Sequence, residues 1–109
     1  MRTLIHPRTI ICHPEERIQI DEVLETTLSS IQSRLDRIDV YLTDVNGPRG
    51  GPDKRCLVVA YLPTGRTVVV SRTDSDPVVA VTAAAARCRR AIRSRLKRHQ
   101  DRRRRNLAA

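Results

Sequence analysis

The side chains able to do covalent or metal chemistry are few. They are His6, Cys12, His13, Cys56, Cys88 and His99, which are all the histidines and cysteines of the chain. Metal sites announce themselves by close pairs such as C-x-x-C or H-x-x-x-H, and no such pair occurs. Cys12 and His13 are neighbours, but adjacency along a chain does not make a nucleophile–base pair. Cys56 and Cys88 fall on apolar positions, where cysteine serves as a small hydrophobe. The acids sit mostly on the polar side of a helical pattern or in turns, so nothing suggests two carboxylates in a desolvated cleft. Gly47, Gly50 and Gly51 resemble no phosphate loop, because no Lys-Ser/Thr follows and no helix begins there. The expectation is a protein that is not an enzyme, with no catalytic residue, metal, cofactor or small-molecule substrate.

The chemistry that the chain does carry is charge. There are 21 Lys+Arg against 12 Asp+Glu, a formal +9. Residues 15–39 hold seven acids and three bases, a net of −4. Residues 77–109 hold eleven bases and a single acid, Asp101, a net of +10. So dense a cationic segment is the footprint of a polyanion-binding surface. Two Tyr, no Phe and no Trp argue against a reader that stacks single-stranded bases on aromatic platforms. No apolar run approaches the roughly 20 residues of a membrane span. His6, Pro7 and Arg8 interrupt any signal-peptide core, and three cysteines fit a reducing compartment better than a disulfide scaffold. A cytoplasmic protein is expected.

These residues must be positioned by elements whose patterns are legible. A first strand falls at residues 9–12, with residues 3–5 as the alternative, and His13-Pro14 breaks it. Residues 16–38 read largely as a helix, with Ile20, Leu24, Leu28, Ile31, Leu35 and Ile38 in one stripe. Its acids lie toward the N-terminus and Arg34 and Arg37 toward the C-terminus, the favourable sense for the helix dipole. Strands follow at residues 39–45, 56–62 and 67–72, with a Gly- and Pro-rich loop at 46–53 and a tight turn at 63–66. Asp74, Ser75, Asp76 and Pro77 supply the cap and first position of a second helix, which runs to about residue 100. Its inward stripe is Val81, Ala85, Cys88, Ile92, Leu96 and His99. Arg102 to Arg105 read as a frayed basic tail.

The order is β-α-β-β-β-α. It predicts a two-layer α+β sandwich, a four-stranded sheet with both helices packed on one face. Residues 1–100 form that single domain and 101–109 the tail. Cys56, Val58, Ala60 and Leu62 face one way along their strand, and Leu57, Val59 and Tyr61 the other. Helices cover only one face, which leaves an open sheet face able to pair two copies weakly or to meet a partner.

With its stripe turned inward, the second helix presents Arg87, Arg90, Arg93, Lys97 and Arg98 on outer or flanking positions. Arg89 and Arg95 border the apolar face, where their stems can cover the core edge. A row of guanidinium groups on one rigid helix suits bidentate contacts to phosphates, which position a protein without reading sequence. The ligand expected is folded RNA, recognised by backbone and shape.

This order of elements, with Asp36-Arg37-Ile38 closing the first helix and a long basic last helix, resembles the ribosome hibernation-promoting factor family. That family is also called the ribosomal subunit interface or sigma-54 modulation family. The stretch from Asp44 through Asn46-Gly47-Pro48-Arg49-Gly50-Gly51-Pro52-Asp53-Lys54-Arg55-Cys56 looks like the signature of a short-form branch. The resemblance spans about residues 8–100. It implies a non-catalytic factor that binds the small ribosomal subunit and its rRNA in the channel between head and body. There it lies over the messenger and transfer RNA sites and silences translation in stress or stationary phase. Carried over residue by residue, it implies rRNA contacts from Arg87, Arg90, Arg93, Lys97 and Arg98. Arg34 and Arg37 match the end of the first helix, and Lys54 and Arg55 the signature loop. The acidic first half of the first helix departs from the pattern. The long forms' dimerising C-terminal domain does not follow, so ribosome dimerisation by that route is not expected.

Overall fold

The structure, a computed structural model, describes residues 2–7, 13–45 and 53–108. Strand β1 is Arg2–Pro7, helix α1 is Pro14–Leu28, and a 3₁₀ helix spans Ser29–Arg34. Strands β2 (Arg37–Asp44), β3 (Lys54–Tyr61) and β4 (Thr67–Asp74) precede helix α2, Pro77–Ala108. The sheet order is β1-β2-β3-β4, with β1 parallel to β2 and the other pairs antiparallel. This is the expected α+β layering: α2 lies across β3 and β4, and α1 packs beside α2.

The strand alternation builds the core. Ile38, Val40 and Leu42 of β2, Cys56, Val58 and Ala60 of β3, and Val68 and Val70 of β4 are all buried toward the helices. They join Ile20, Leu24 and Leu28 of α1 and Val81, Ala85, Cys88 and Ile92 of α2 in one cluster. A period of 2 on the strands and of 3.6 on the helices thus converges on one shared interior.

The first strand is the segment weighed as the alternative, since Arg2–Pro7 pairs with β2. Residues 9–12, the other candidate, lie outside the described residues, as does the loop at 46–52. The first helix also needs correction. It does not run to residue 38: the α-helix stops at Leu28, the chain tightens into the 3₁₀ helix, and Leu35 is extended. Ser29, Ser30 and Ser33 explain the change, because serine hydroxyls compete for backbone groups, and the Ser29 hydroxyl donates to the Thr26 carbonyl at 3.0 Å. The whole stripe from Ile20 to Ile38 is nevertheless buried. Steps of three, four and three through Leu28, Ile31, Leu35 and Ile38 keep the helical spacing past the end of the helix, where the backbone is 3₁₀ and then extended.

Two ends are well built. At α1, His13 is the N-cap, and its backbone N–H donates to Glu16 Oε1 at 3.3 Å. At α2, Asp76 Oδ1 accepts from the Val78 N–H at 2.8 Å, and Pro77 takes the first helical position as expected. The far end of α2 differs from expectation. Residues 101–108 continue the helix rather than forming a frayed tail. Arg, Asn and Leu carry no breaker there, and Asp101 stands four residues from both Lys97 and Arg105.

The β3–β4 hairpin closes through Leu62 N–H to Arg66 O at 2.9 Å and Gly65 N–H to Leu62 O at 3.0 Å. Gly65 sits at φ +86°, in the left-handed region, with open space where a Cβ would stand. Gly65→Ala therefore acts through the backbone alone. It should cost about 1 kcal/mol, read as a lower midpoint in thermal unfolding followed by circular dichroism.

Candidate nucleic-acid interface

Helix α2 supplies a rigid rail for cations. Arg87, Arg90, Arg93 and Lys97 are all exposed, and steps of three, three and four residues keep them on the outer side of the helix. The 3₁₀ helix brings a fifth group to them. Arg34 lines a shallow depression of about 240 Å³ together with Arg93 and Lys97, with Ser30 and Gln100 beside them. Arg93 Nη2 donates to Ser30 Oγ at 2.8 Å, which fixes one guanidinium at the rim and leaves its other N–H groups facing outward. Three cations from two elements, with polar neighbours between them, make a seat for phosphate oxygens.

The other residues singled out from the sequence lie elsewhere. Arg37 does not close the first helix but opens β2. Its Nη2 lies 3.2 Å from Asp39 Oδ2, and its Cζ stands 4.4 Å from the centre of the Tyr61 ring. The hydrogen bond to Tyr61, then the Asp39 carboxylate, hold this guanidinium above its ordinary pKa. Position 37 shares the alternation of Asp39 and Tyr41, which places it on the open face of the sheet, away from both helices. Asp39, in a strand as expected, is a buried carboxylate on that open face. Both basic residues near the supposed helix end thus have other settings, and α1 has no basic residue in its last turn.

Lys54 is committed within the fold. Its Nζ donates to Asp44 Oδ2 at 2.8 Å and to Asp53 Oδ2 at 2.9 Å. These two hydrogen bonds, in that order, raise its pKa. The Val45 N–H donates to the Asp53 carbonyl at 2.8 Å at the same point, so the ammonium pins the end of the β2–β3 ladder. Arg55 is exposed, and its Nε donates to Ser71 Oγ at 3.1 Å across to β4.

Arg98 turns toward the other flank of α2. It lines a groove with Arg66, Arg95 and Arg102, residues that the sequence reading did not include in the binding surface. His99, expected on the inward stripe, is exposed and lines the same groove. The signal was present in the spacing: past Leu96 the inward face carries only His99 and Arg102, with Arg95 at its border, where a core would need apolar residues.

The reactive groups have structural settings. Burial pushes the Cys56 thiol up to about 12 and the Cys88 thiol up to about 11. At pH 8 both are protonated and enclosed. Iodoacetamide should leave the Cys56 and Cys88 peptides unmodified in the folded protein and alkylate both in denaturant, as read by peptide mass mapping. Cys12 and the His6 side chain lie outside the described residues. Among the described residues, no three His, Cys, Asp or Glu side chains gather where a metal ion could sit, and no helix is long and apolar enough to cross a membrane.

No protein-family model and no curated protein matches the sequence. The fold does have solved counterparts. One is a ribosomal subunit interface protein from Coxiella burnetii, with a TM-score of 0.65 and 17% identity, over 93% of this chain and 99% of that one. Another is the N-terminal domain of Protein Y from Thermus thermophilus, with a TM-score of 0.58 and 22% identity, over 83% of this chain and 91% of that one. The chain shares the α+β fold of these proteins.

Proposed function

We propose that the protein is a non-catalytic ribosome-binding factor of the hibernation-promoting kind. It occupies the decoding channel of the small subunit, grips rRNA phosphates and silences translation in the cytoplasm under stress or in stationary phase. The observation that carries this reading is the outward cationic rail of α2 joined by Arg34. It stands on a fold shared with a ribosomal subunit interface protein. Arg34, Arg87, Arg90, Arg93 and Lys97 are the principal contacts. Arg98 flanks them, and Arg55 contributes from the sheet end. Arg37 and Lys54 act mainly within the fold, since each already faces a carboxylate.

The reading distinguishes itself from a general duplex-RNA module by preference. Small subunits should bind in the presence of a large excess of bulk duplex RNA, and binding should weaken steeply with salt as counterions are released. Complete displacement by duplex RNA would instead favour the general module.

A second surface supports a further contact. Leu57, Val59 and Tyr61 are half-buried on the open sheet face, and Leu4 and Val69 are exposed. A weak homodimer through this face should appear in light scattering as a mass that rises with concentration.

A further inference from the structure

Val81, Ala85, Cys88 and Ile92 are buried along one side of α2, and Leu96 still packs against the core. At 100° per residue, that same side continues as Arg95, His99 and Arg102. These positions lie over the end of the sheet at Thr67 and over the β3–β4 turn, which contributes Arg66 from across the gap. The result is a groove of about 530 Å³ beneath the end of α2, with Arg66 on one wall and Arg95, Arg98 and Arg102 on the other. Leu62 and Leu96 supply an apolar floor.

The electrostatics of this groove are unbalanced. Among the described residues, none of the four arginines makes an ion pair. The hydrogen bonds of this set go to backbone carbonyls: Arg95 Nη1 to Thr67 O at 3.1 Å and Arg98 Nε to Ser94 O at 3.5 Å. Guanidinium groups stay charged throughout the working pH range, so four of them face one cleft with no anion among the described side chains. Such an arrangement repels itself until a counter-anion enters.

The shape selects among anions. Small-molecule sites commonly enclose about 300–1,000 Å³, apolar over much of their lining with a few directed polar groups. An inorganic phosphate would leave the Leu62–Leu96 floor wet. A duplex backbone suits the convex outer rail of the helix better than a concave cleft. A ligand with adjacent phosphates and a flat heterocycle fits both halves, because planar guanidinium groups bind phosphate in bidentate fashion and also stack on rings.

We propose that this groove is a binding site for a nucleoside di- or triphosphate. The phosphates lie among Arg66, Arg98 and Arg102, and the base lies over Leu62 and Leu96. Apart from Arg98, which borders both, the site is distinct from the rRNA surface. On the helical wheel Arg95 and Arg102 fall about 120–160° from Arg90 and Lys97. It does not rest on the ribosome reading, because the free protein binds the nucleotide.

The test is a titration of the isolated protein with ADP, GDP, ATP and GTP, with pyrophosphate and inorganic phosphate as references, followed by amide chemical shifts. The expected result is saturable one-site binding with shifts at Leu62, Thr64, Gly65 and His99. At least one nucleotide should bind at least tenfold tighter than pyrophosphate. Arg66→Ser with Arg102→Ser should weaken it at least tenfold, whereas Arg90→Ser with Lys97→Ser should change it less than twofold. A rise in melting temperature with nucleotide, absent in the Arg66/Arg102 variant, gives the same answer independently. Shifts spread along all exposed arginines of α2, equal losses in both variants, or pyrophosphate binding as tightly as every nucleotide would each overturn the proposal.

Discussion

Replacing Arg87, Arg90, Arg93 and Lys97 with Glu should abolish co-sedimentation with small ribosomal subunits while the protein stays folded. All four side chains are exposed, so their replacement removes no core contact. The exchange turns four cations into four anions along the rail, and phosphate attraction becomes repulsion. A milder set, the same four residues changed to Ser, reads out the number of contacts. By the counterion argument, four phosphate contacts add about 3–4 units to the slope of log affinity against log salt, roughly a hundredfold in affinity between 50 and 200 mM. The Ser variant should lose that much slope. A variant with reversed charge that still pelleted with small subunits would remove α2 from the interface.

Ile92→Ala should be strongly destabilising. Ile92 is fully buried on α2, and its side chain belongs to the one shared cluster. Truncation there costs about 2–5 kcal/mol through lost transfer energy and the cavity left behind. Against a total of about 5–15 kcal/mol for a domain of this size, that is a large fraction. Thermal unfolding should fall by at least about 10 °C. Leu107→Ala is the matched control: that side chain is 84% exposed near the end of α2 and should change stability by no more than about 0.5 kcal/mol. A similar loss in both variants would mean that the end of α2 is held by contacts other than those seen here.

The layering was legible because alternation and helical spacing both record burial. The set Cys56, Val58 and Ala60 on β3 and the stripe Val81 to Ile92 on α2 could be placed before any coordinates, and both are buried as expected. The end of the first helix was not legible for the same reason. Leu28, Ile31 and Leu35 stay buried whether the chain is α-helical, 3₁₀ or extended, so burial periodicity does not report the change of backbone. That error carried Arg37 onto the first helix, whereas it opens β2.

Of the candidate surface, the outer rail was readable from helical phase alone. What phase cannot show is the tertiary partner of each charge. Lys54 looks like any basic residue beside a loop until Asp44 and Asp53 are seen to hold it. Arg66 lies 36 residues from Arg102 in sequence, and only the hairpin turn brings them to one groove.

The central claim is that this protein resides on ribosomes through a cationic helix. The most direct measurement is its distribution across a sucrose gradient of native lysate, followed by immunoblotting at low and high salt. The account predicts a peak with small subunits and whole ribosomes at low salt that moves to the top of the gradient at high salt. A protein found only at the top at low salt, or unmoved by salt, would contradict it.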